Sequence, residues 1–273
     1  MDNFNEVSPL HLAVLKEDYD ALRSLAINSD LKSLKNSLGF TALELAEYLG
    51  KEGVIKILSP DTKQKIGVIK PGEFKAVNFT PEIFNNHFHV KYRSHLNFQN
   101  YNFFKEMRSN CPWTLHTSFL GEENRALAEK FQCELTSGAI RNATIRWIDN
   151  ELGYGLFARK DLPQGTFIGE FTGVVRRLYR FNRNQNEYCF HYPTKFWSWN
   201  YTIIDALNEG NETRFINHSD TPNLTPICLC ERNILHIVFI TNSFVKAGTQ
   251  LTYNYGKDFW ENREKKEIKD YTE

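Results

Sequence analysis

The chain changes texture at Ile145, and that change limits the fold more than any other feature. From there on, short apolar runs rich in β-branched and aromatic residues alternate with Gly, Pro and Asn turns. Ala143–Trp147, Thr166–Phe171, Ile234–Ile240 and Gln250–Tyr253 are examples. Runs of that length bounded by those residues read as strands. The spacing therefore predicts a mostly-β domain in the second half.

A chain of 273 residues has room for one or two domains and a core that needs no staples. Its 41% hydrophobic and 24% charged residues argue against a disordered, collagen-like or coiled-coil chain. Lys+Arg and Asp+Glu are both 33, and a net charge of zero argues against direct nucleic-acid binding. No apolar run approaches the ~18–20 residues of a membrane span, so no membrane partner is expected. Met1–Leu10 lack the charged and apolar regions of a signal peptide. Five cysteines, sparse and odd in number, suggest thiols in a reducing compartment, cytoplasmic or nuclear. The Asn-x-Ser/Thr triplets at Asn78, Asn142, Asn200, Asn211, Asn217 and Asn223 then read as accidents of an Asn-rich chain.

Four islands within the β-rich half carry unusual residue combinations. The first is Leu152-Gly153-Tyr154-Gly155-Leu156-Phe157-Ala158. Two glycines let backbone groups approach a ligand with no Cβ in the way, although a lone GxG is usually only a turn. The second runs from Ile203-Ile204-Asp205-Ala206 through Gly210-Asn211 to Arg214-Phe215-Ile216-Asn217-His218-Ser219-Asp220-Thr221-Pro222-Asn223. The third is Lys246–Gly256, with Tyr253 and Tyr255 separated by one residue. The fourth is Tyr188-Cys189-Phe190.

In their order and spacing, and with Ile168-Gly169-Glu170-Phe171-Thr172-Gly173, these islands resemble the SET domain of protein lysine methyltransferases over about 140–260. The resemblance implies small curved sheets with a knot-like threaded junction. It also implies S-adenosylmethionine as cofactor, bordered by the backbone of Leu152, Gly153 and Tyr154. Asn217 and His218 would meet the adenine through backbone groups, Tyr188 and Arg214 would hold the amino-acid end, and Trp260 would cover the cofactor. Phe171, Tyr188, Phe190, Tyr253 and Tyr255 would wall the lysine channel. Tyr255 is the leading catalytic residue, with Tyr253 and Tyr188 beside it. A Tyr at 253 implies mono- or dimethylation.

Three departures from the family pattern stand out. Phe171 replaces a frequent Tyr. Asp220 stands where a zinc-ligand Cys is common, and no cysteine follows Tyr255, so no metal is expected. Cys228 and Cys230 read as neighbouring strand positions on opposite faces.

The N-terminus repeats itself. Ser8-Pro9-Leu10-His11-Leu12-Ala13 is echoed 33 residues later by Thr41-Ala42-Leu43-Glu44-Leu45-Ala46, and Leu22 and Leu25 by Ile55 and Leu58. Ser8 and Thr41 are candidate helix caps, with Pro9 at a first helical position. The period and the motif resemble ankyrin repeats. Two repeats are fewer than usually stand alone, so the block is expected to pack onto the rest of the chain and to present a surface to a protein partner.

Between the two ends, Leu127, Phe131 and Leu135 predict one helix. His87, His89, His95 and His116 lack metal-ligand spacing. Lys265–Lys269 suit a short closing helix or a solvated end. The expectation is thus α+β. Ankyrin-like helical repeats span 1–60 and an aromatic-rich, partly helical connecting region spans 61–139. The mostly-β SET domain spans 140–260 and a tail 261–273. The function implied is methyl transfer to a protein lysine, a histone tail being the leading substrate. The alternative is a catalytically weak interaction module. Asn/Lys/Phe-rich composition leans towards a secreted bacterial effector acting in a host nucleus.

Overall fold

The computed structural model describes residues 8–59, 64–115, 122–179, 186–194 and 200–260. His116 and the tail from 261 onward lie outside them. The N-terminal block is α1 (Pro9–Lys16), α2 (Tyr19–Leu25), α3 (Ser29–Ser33), α4 (Ala42–Tyr48) and α5 (Glu52–Leu58). The Ser8 hydroxyl accepts from His11 N–H at the start of α1, and Thr41 closes a capping box with Glu44 at the start of α4. Each cap satisfies amide groups that the first turn leaves without a partner. His11 Nε2 donates to Phe40 O at 2.8 Å, so the first copy of the motif holds the turn that precedes the second. Leu10, Val14, Leu22, Ala42, Ala46 and Val54 form a small core of their own.

That core does not use the whole apolar face. Phe40, Leu45, Tyr48 and Leu49 belong instead to the main core, alongside Phe98 and Phe104. The block therefore packs onto the rest of the chain through these residues.

The next stretch supplies β1 (Ile66–Ile69), β2 (Val77–Phe79), α6 (Pro81–Phe88), β3 (Lys91–Tyr92), α7 (Tyr101–Leu115), α8 (Glu122–Lys130) and α9 (Gln132–Ser137). The single helix expected over Leu127–Leu135 is broken at Phe131, which caps α9 with non-helical backbone. Ala128, Phe131 and Leu135 still share one face, packed on Phe167, Leu229 and Val238.

The β-rich half follows as β4 (Ala143–Asp149), β5 (Gly153–Ala158), β6 (Phe167–Glu170), β7 (Val174–Tyr179), β8 (Cys189–His191), β9 (Asn200–Asp205), β10 (Glu209–Gly210), β11 (Asn217–His218), β12 (Leu224–Glu231), β13 (Ile234–Thr241) and β14 (Thr252–Tyr253), closed by α10 (Lys257–Trp260). A 3-10 turn spans Glu212–Phe215. The strands form small sheets in the orders β2-β1-β4-β5, β12-β13-β6 and β7-β9-β8, with the pairs β10–β3 and β11–β14. The connecting region is thus more than an adaptor. It completes the sheet that carries the Gly-x-Gly strand, with β1 parallel to β4 at Val68–Ile145.

Cys228 and Cys230 both lie in β12, opposite Ile237 and Leu235. The opposite-face expectation is corrected here: residues two apart in a strand share a face. Both pack against the main core, while Leu229 between them faces α8 and α9.

The hairpin tip between β12 and β13 reaches back to the N-terminal block. Arg232 and Asn233 turn it with φ of 46° and 60°. Arg232 Nη1 donates to Glu44 Oε1 at 2.7 Å and to Gly39 O at 3.3 Å, with its guanidinium 4.3 Å above the Phe40 ring. Arg108 of α7 donates to Leu38 O at 3.3 Å and to Arg232 O at 3.1 Å. Two arginines thus hold one turn, and both are half-buried by it.

Candidate active site

The site grows from the parallel pairing of β11 with β14, which sets Asn217 beside Thr252 and His218 beside Tyr253. Segments remote in sequence meet there because β-pairing satisfies their amides where the loops alone would not. Ser219 N–H donates to Tyr253 O at 3.1 Å, continuing the pairing.

Tyr255 leaves β14 and turns back on β11. Its N–H donates to His218 Nδ1 at 3.1 Å, and its hydroxyl donates to Ile216 O at 2.8 Å. Burial first, then the neighbouring Tyr253 and Tyr188, holds the phenol well above its usual range. It is therefore a neutral hydroxyl with its proton committed to a carbonyl. Tyr253 packs against it, with ring centroids 4.7 Å apart. Trp260 lies parallel to the Tyr255 ring at 6.2 Å and 4.8 Å from His218.

An aromatic cluster continues from Tyr253. Its ring stacks on Phe190 at 6.1 Å and meets Phe239 at 4.9 Å. Phe171 lies 5.4 Å from Phe190 and 6.4 Å from Phe239. Phe239 was not among the sequence candidates. It shares a face of β13 with Ile237, but the run Ile234–Ile240 is apolar at nearly every position, so period alone does not single it out. Phe259, 4.6 Å from Tyr255, is a second addition.

The two glycines of the first island have different causes. Gly153 sits at φ +72°, in a turn where Asp149 Oδ1 accepts from Glu151 and Leu152 N–H at 2.8 and 2.7 Å. A Cβ on Gly155 would lie 2.7 Å from Ile148 Cδ1, 2.8 Å from Gln250 Nε2 and 3.2 Å from Asn217 Nδ2. Its absence brings β5 against β11, and Asn217 Nδ2 reaches Tyr154 O at 3.5 Å. Tyr154 is fixed from the connecting region, where His87 Nε2 meets its hydroxyl at 3.0 Å and Phe88 its ring at 5.1 Å.

On the other flank, the Arg214 guanidinium lies 4.3 Å above the Tyr188 ring and donates to Ala206 O at 3.1 Å. Tyr188 is held through its backbone: Asn186 Oδ1 accepts its N–H at 2.8 Å, and its carbonyl accepts from Ala206 at 3.0 Å. Tyr154 therefore adjoins Asn217, with Leu152 and Gly153 in the turn that leads into it, and His218 adjoins Tyr253, Tyr255 and Trp260. Tyr188 and Arg214 pair with each other, and Phe171 and Phe190 join Tyr253. Among the described residues no three His, Cys, Asp or Glu groups gather as a metal site would require.

Some polar groups in this region lack protein partners among the described residues. The indole Nε1 of Trp260 has no acceptor, and neither carboxamide atom of Gln250, beside Gly155, is paired. Buried polar atoms without partners are costly, so a site that keeps them has a use for them.

Behind the site, Glu212 is fully desolvated and accepts from the Tyr92 hydroxyl at 2.9 Å. Burial pushes its carboxyl up to about 7. The folded state then holds this proton more tightly than the unfolded chain. Its contribution to stability is full below the ordinary carboxylate range and is lost as pH rises towards 7. Glu212→Gln removes that dependence, so thermal melts taken between about pH 5 and 8 should slope less for the variant than for the parent.

Residues 153–256 match the SET domain family. Human histone-lysine N-methyltransferase EHMT1 is 29% identical over 148 residues, covering 48% of this chain and 11% of that protein. Mouse histone-lysine N-methyltransferase SETD2 is 36% identical over 110 residues, 38% of this chain and 4% of that one. A crystal structure of KRYPTONITE in complex with mCHH DNA, an H3(1-15) peptide and SAH is 29% identical. It covers 43% of this chain and 24% of that one, with a TM-score of 0.36, an overlay too partial to bear on the fold. The chain spans only 11% and 4% of the two curated relatives. With this segment matched and relatives of this kind, the chain carries a SET domain and has histone-lysine N-methyltransferases as homologues.

Proposed function

We propose that this chain transfers a methyl group from S-adenosylmethionine to a lysine side chain of a protein, a histone tail being the leading substrate. The observation that carries the reading is Tyr255, a neutral phenol pinned to Ile216 O where the aromatic cluster meets the Asn217-His218 strand.

The site suits the cofactor by its chemistry. Trp260 Nε1 and the Gln250 carboxamide have no partner among the described residues, and they match the acceptors and donors of a nucleoside. The surrounding aromatic rings and the Ile216 carbonyl are electron-rich, as a sulfonium requires. Leu152, Gly153, Tyr154, Asn217, His218 and Trp260 would border the nucleoside end, and Tyr188 with Arg214 the amino-acid end. The bound cofactor supplies an electrophilic methyl group on positively charged sulfur.

The residues of the chain do the rest. A lysine amine must be neutral to attack. With an ordinary pKa near 10.4, deprotonating it at pH 7 costs about 4.6 kcal/mol. Phe171, Phe190, Phe239 and Tyr253 offer a poorly solvating wall, which disfavours the ammonium and lowers that cost. The wall also confines the side chain to one line of approach. The Tyr255 oxygen then faces the charge that develops along that line.

Tyr253 is proposed to limit the product to mono- or dimethyl-lysine. Its hydroxyl occupies volume in the aromatic cluster that Phe would free. Tyr253→Phe should therefore raise the share of trimethyl-lysine in mass spectra of the product peptide at matched turnover. An unchanged product distribution would count against this role. The N-terminal block is proposed to be an ankyrin-type pair that serves protein recognition, supported by its 33-residue period and by the His11–Phe40 bond between the two copies.

The direct test is calorimetric binding of S-adenosylmethionine, followed by methyl transfer to mixed histones. Binding without transfer to any histone would keep the cofactor site and reject the substrate. Absence of both would reject the reading.

A further inference from the structure

Outside the methyl-transfer site the molecule brings two thiols together. Cys111 of α7 and Cys230 of β12 lie 119 residues apart in sequence, yet their sulfurs are 3.0 Å apart. That is within about 1 Å of a disulfide bond length of about 2.05 Å. The two sulfurs differ in access: Cys111 is fully buried, whereas Cys230 is partly exposed.

The surroundings give them different roles. The Cys111 thiol hydrogen-bonds to Cys230 and, helped by His236 and the Asn233 amide, holds it below the usual thiol range against burial and Glu231. The same contact and burial push Cys111 up. Burial also pushes Cys228, two residues away, up to about 11. A thiolate is the reactive form, and it needs access to its oxidant. Of the pair, Cys230 is the more accessible and the one held lower.

We propose that Cys111 and Cys230 are a reversible disulfide site, with Cys230 oxidised first by a hydroperoxide and Cys111 resolving it. In the first step the Cys230 sulfur bonds to the terminal peroxide oxygen and the O–O bond breaks. The alkoxide or hydroxide released takes a proton and leaves as alcohol or water. In the second step the Cys111 sulfur bonds to the Cys230 sulfur, the S–O bond breaks, and hydroxide leaves with the Cys111 proton as water. Two thiols and one hydroperoxide thus give one disulfide, one alcohol (or water) and one water. The new bond fastens α7 to β12 beside the paired Arg108 and Arg232, which hold the Leu38–Phe40 turn. Oxidation therefore ties together the elements on which the N-terminal block rests.

The test treats the full chain with one equivalent of hydrogen peroxide, blocks the remaining thiols and maps the peptides by mass spectrometry. A Cys133→Ser background removes the exposed thiol as a source of cross-links between molecules. The expected result is one linked peptide pair holding Cys111 and Cys230, reversed by dithiothreitol, with a Tm about 5–10 °C above the reduced protein. In Cys111→Ser, dimedone should label Cys230 as the sulfenic acid. The map of the chain with Cys111 intact decides the matter whether or not that variant folds. Linkage of Cys230 to Cys228 instead, or full alkylation of both Cys111 and Cys230 after peroxide, would overturn the assignment.

Discussion

Tyr255→Phe should reduce methyl transfer by about 10²–10³-fold, the effect of removing about 2.7–4 kcal/mol of transition-state stabilisation. The ring contacts with Tyr253, Phe259 and Trp260 survive the change. Only the hydroxyl and its bond to Ile216 O are lost, so the stability cost is about 1–3 kcal/mol. Affinity for S-adenosylmethionine should stay within about threefold, because an interaction made only in the transition state changes turnover and leaves ground-state binding alone. The measurement pairs single-turnover transfer with calorimetry on the same preparation. A Phe variant that keeps parental turnover would remove Tyr255 from the chemistry and leave it a packing residue.

Phe40→Ala should cost about 3–5 kcal/mol of stability, the usual result of emptying a large buried aromatic site. Phe40 is fully buried. It meets Tyr48 and Phe104 edge-on at 5.6 and 5.5 Å and lies under two guanidinium groups, Arg108 and Arg232, at 5.2 and 4.3 Å. Removing the ring therefore leaves a cavity and also takes away the surface on which both arginines rest. Chemical denaturation followed by intrinsic fluorescence should show a lower midpoint. A loss below about 1 kcal/mol would mean that the N-terminal block is held mainly through its own small core.

The β-rich half was legible because its runs are rich in β-branched and aromatic residues and its turns carry Gly, Pro and Asn. The strand expected over Ile234–Ile240 is observed as Ile234–Thr241. The stretch before it was not legible, for a physical reason. Val77–Phe79 and Lys91–Tyr92 span three and two residues, too short for any period to register. Their partners are β1 and the remote β10, not each other. Alternation within a strand says which residues share a face. It does not say which distant strand will lie opposite. Phe239 escaped notice because it sits in an apolar run where every position looks like core. The sequence around Phe131 reads as one helix because the apolar face continues across the break even though the backbone does not.

The position of β1 has a consequence for where the domain begins. The family match starts at Gly153, yet β5 pairs with β4 just before it, and β4 is flanked on its other side by a strand some eighty residues upstream. A fragment trimmed to that match would lose β4 together with β1 and bare the edge of β5, a row of unanswered amides and carbonyls ready to recruit another copy. Shared ancestry marks one limit of this unit, and the needs of its backbone mark another, much earlier one.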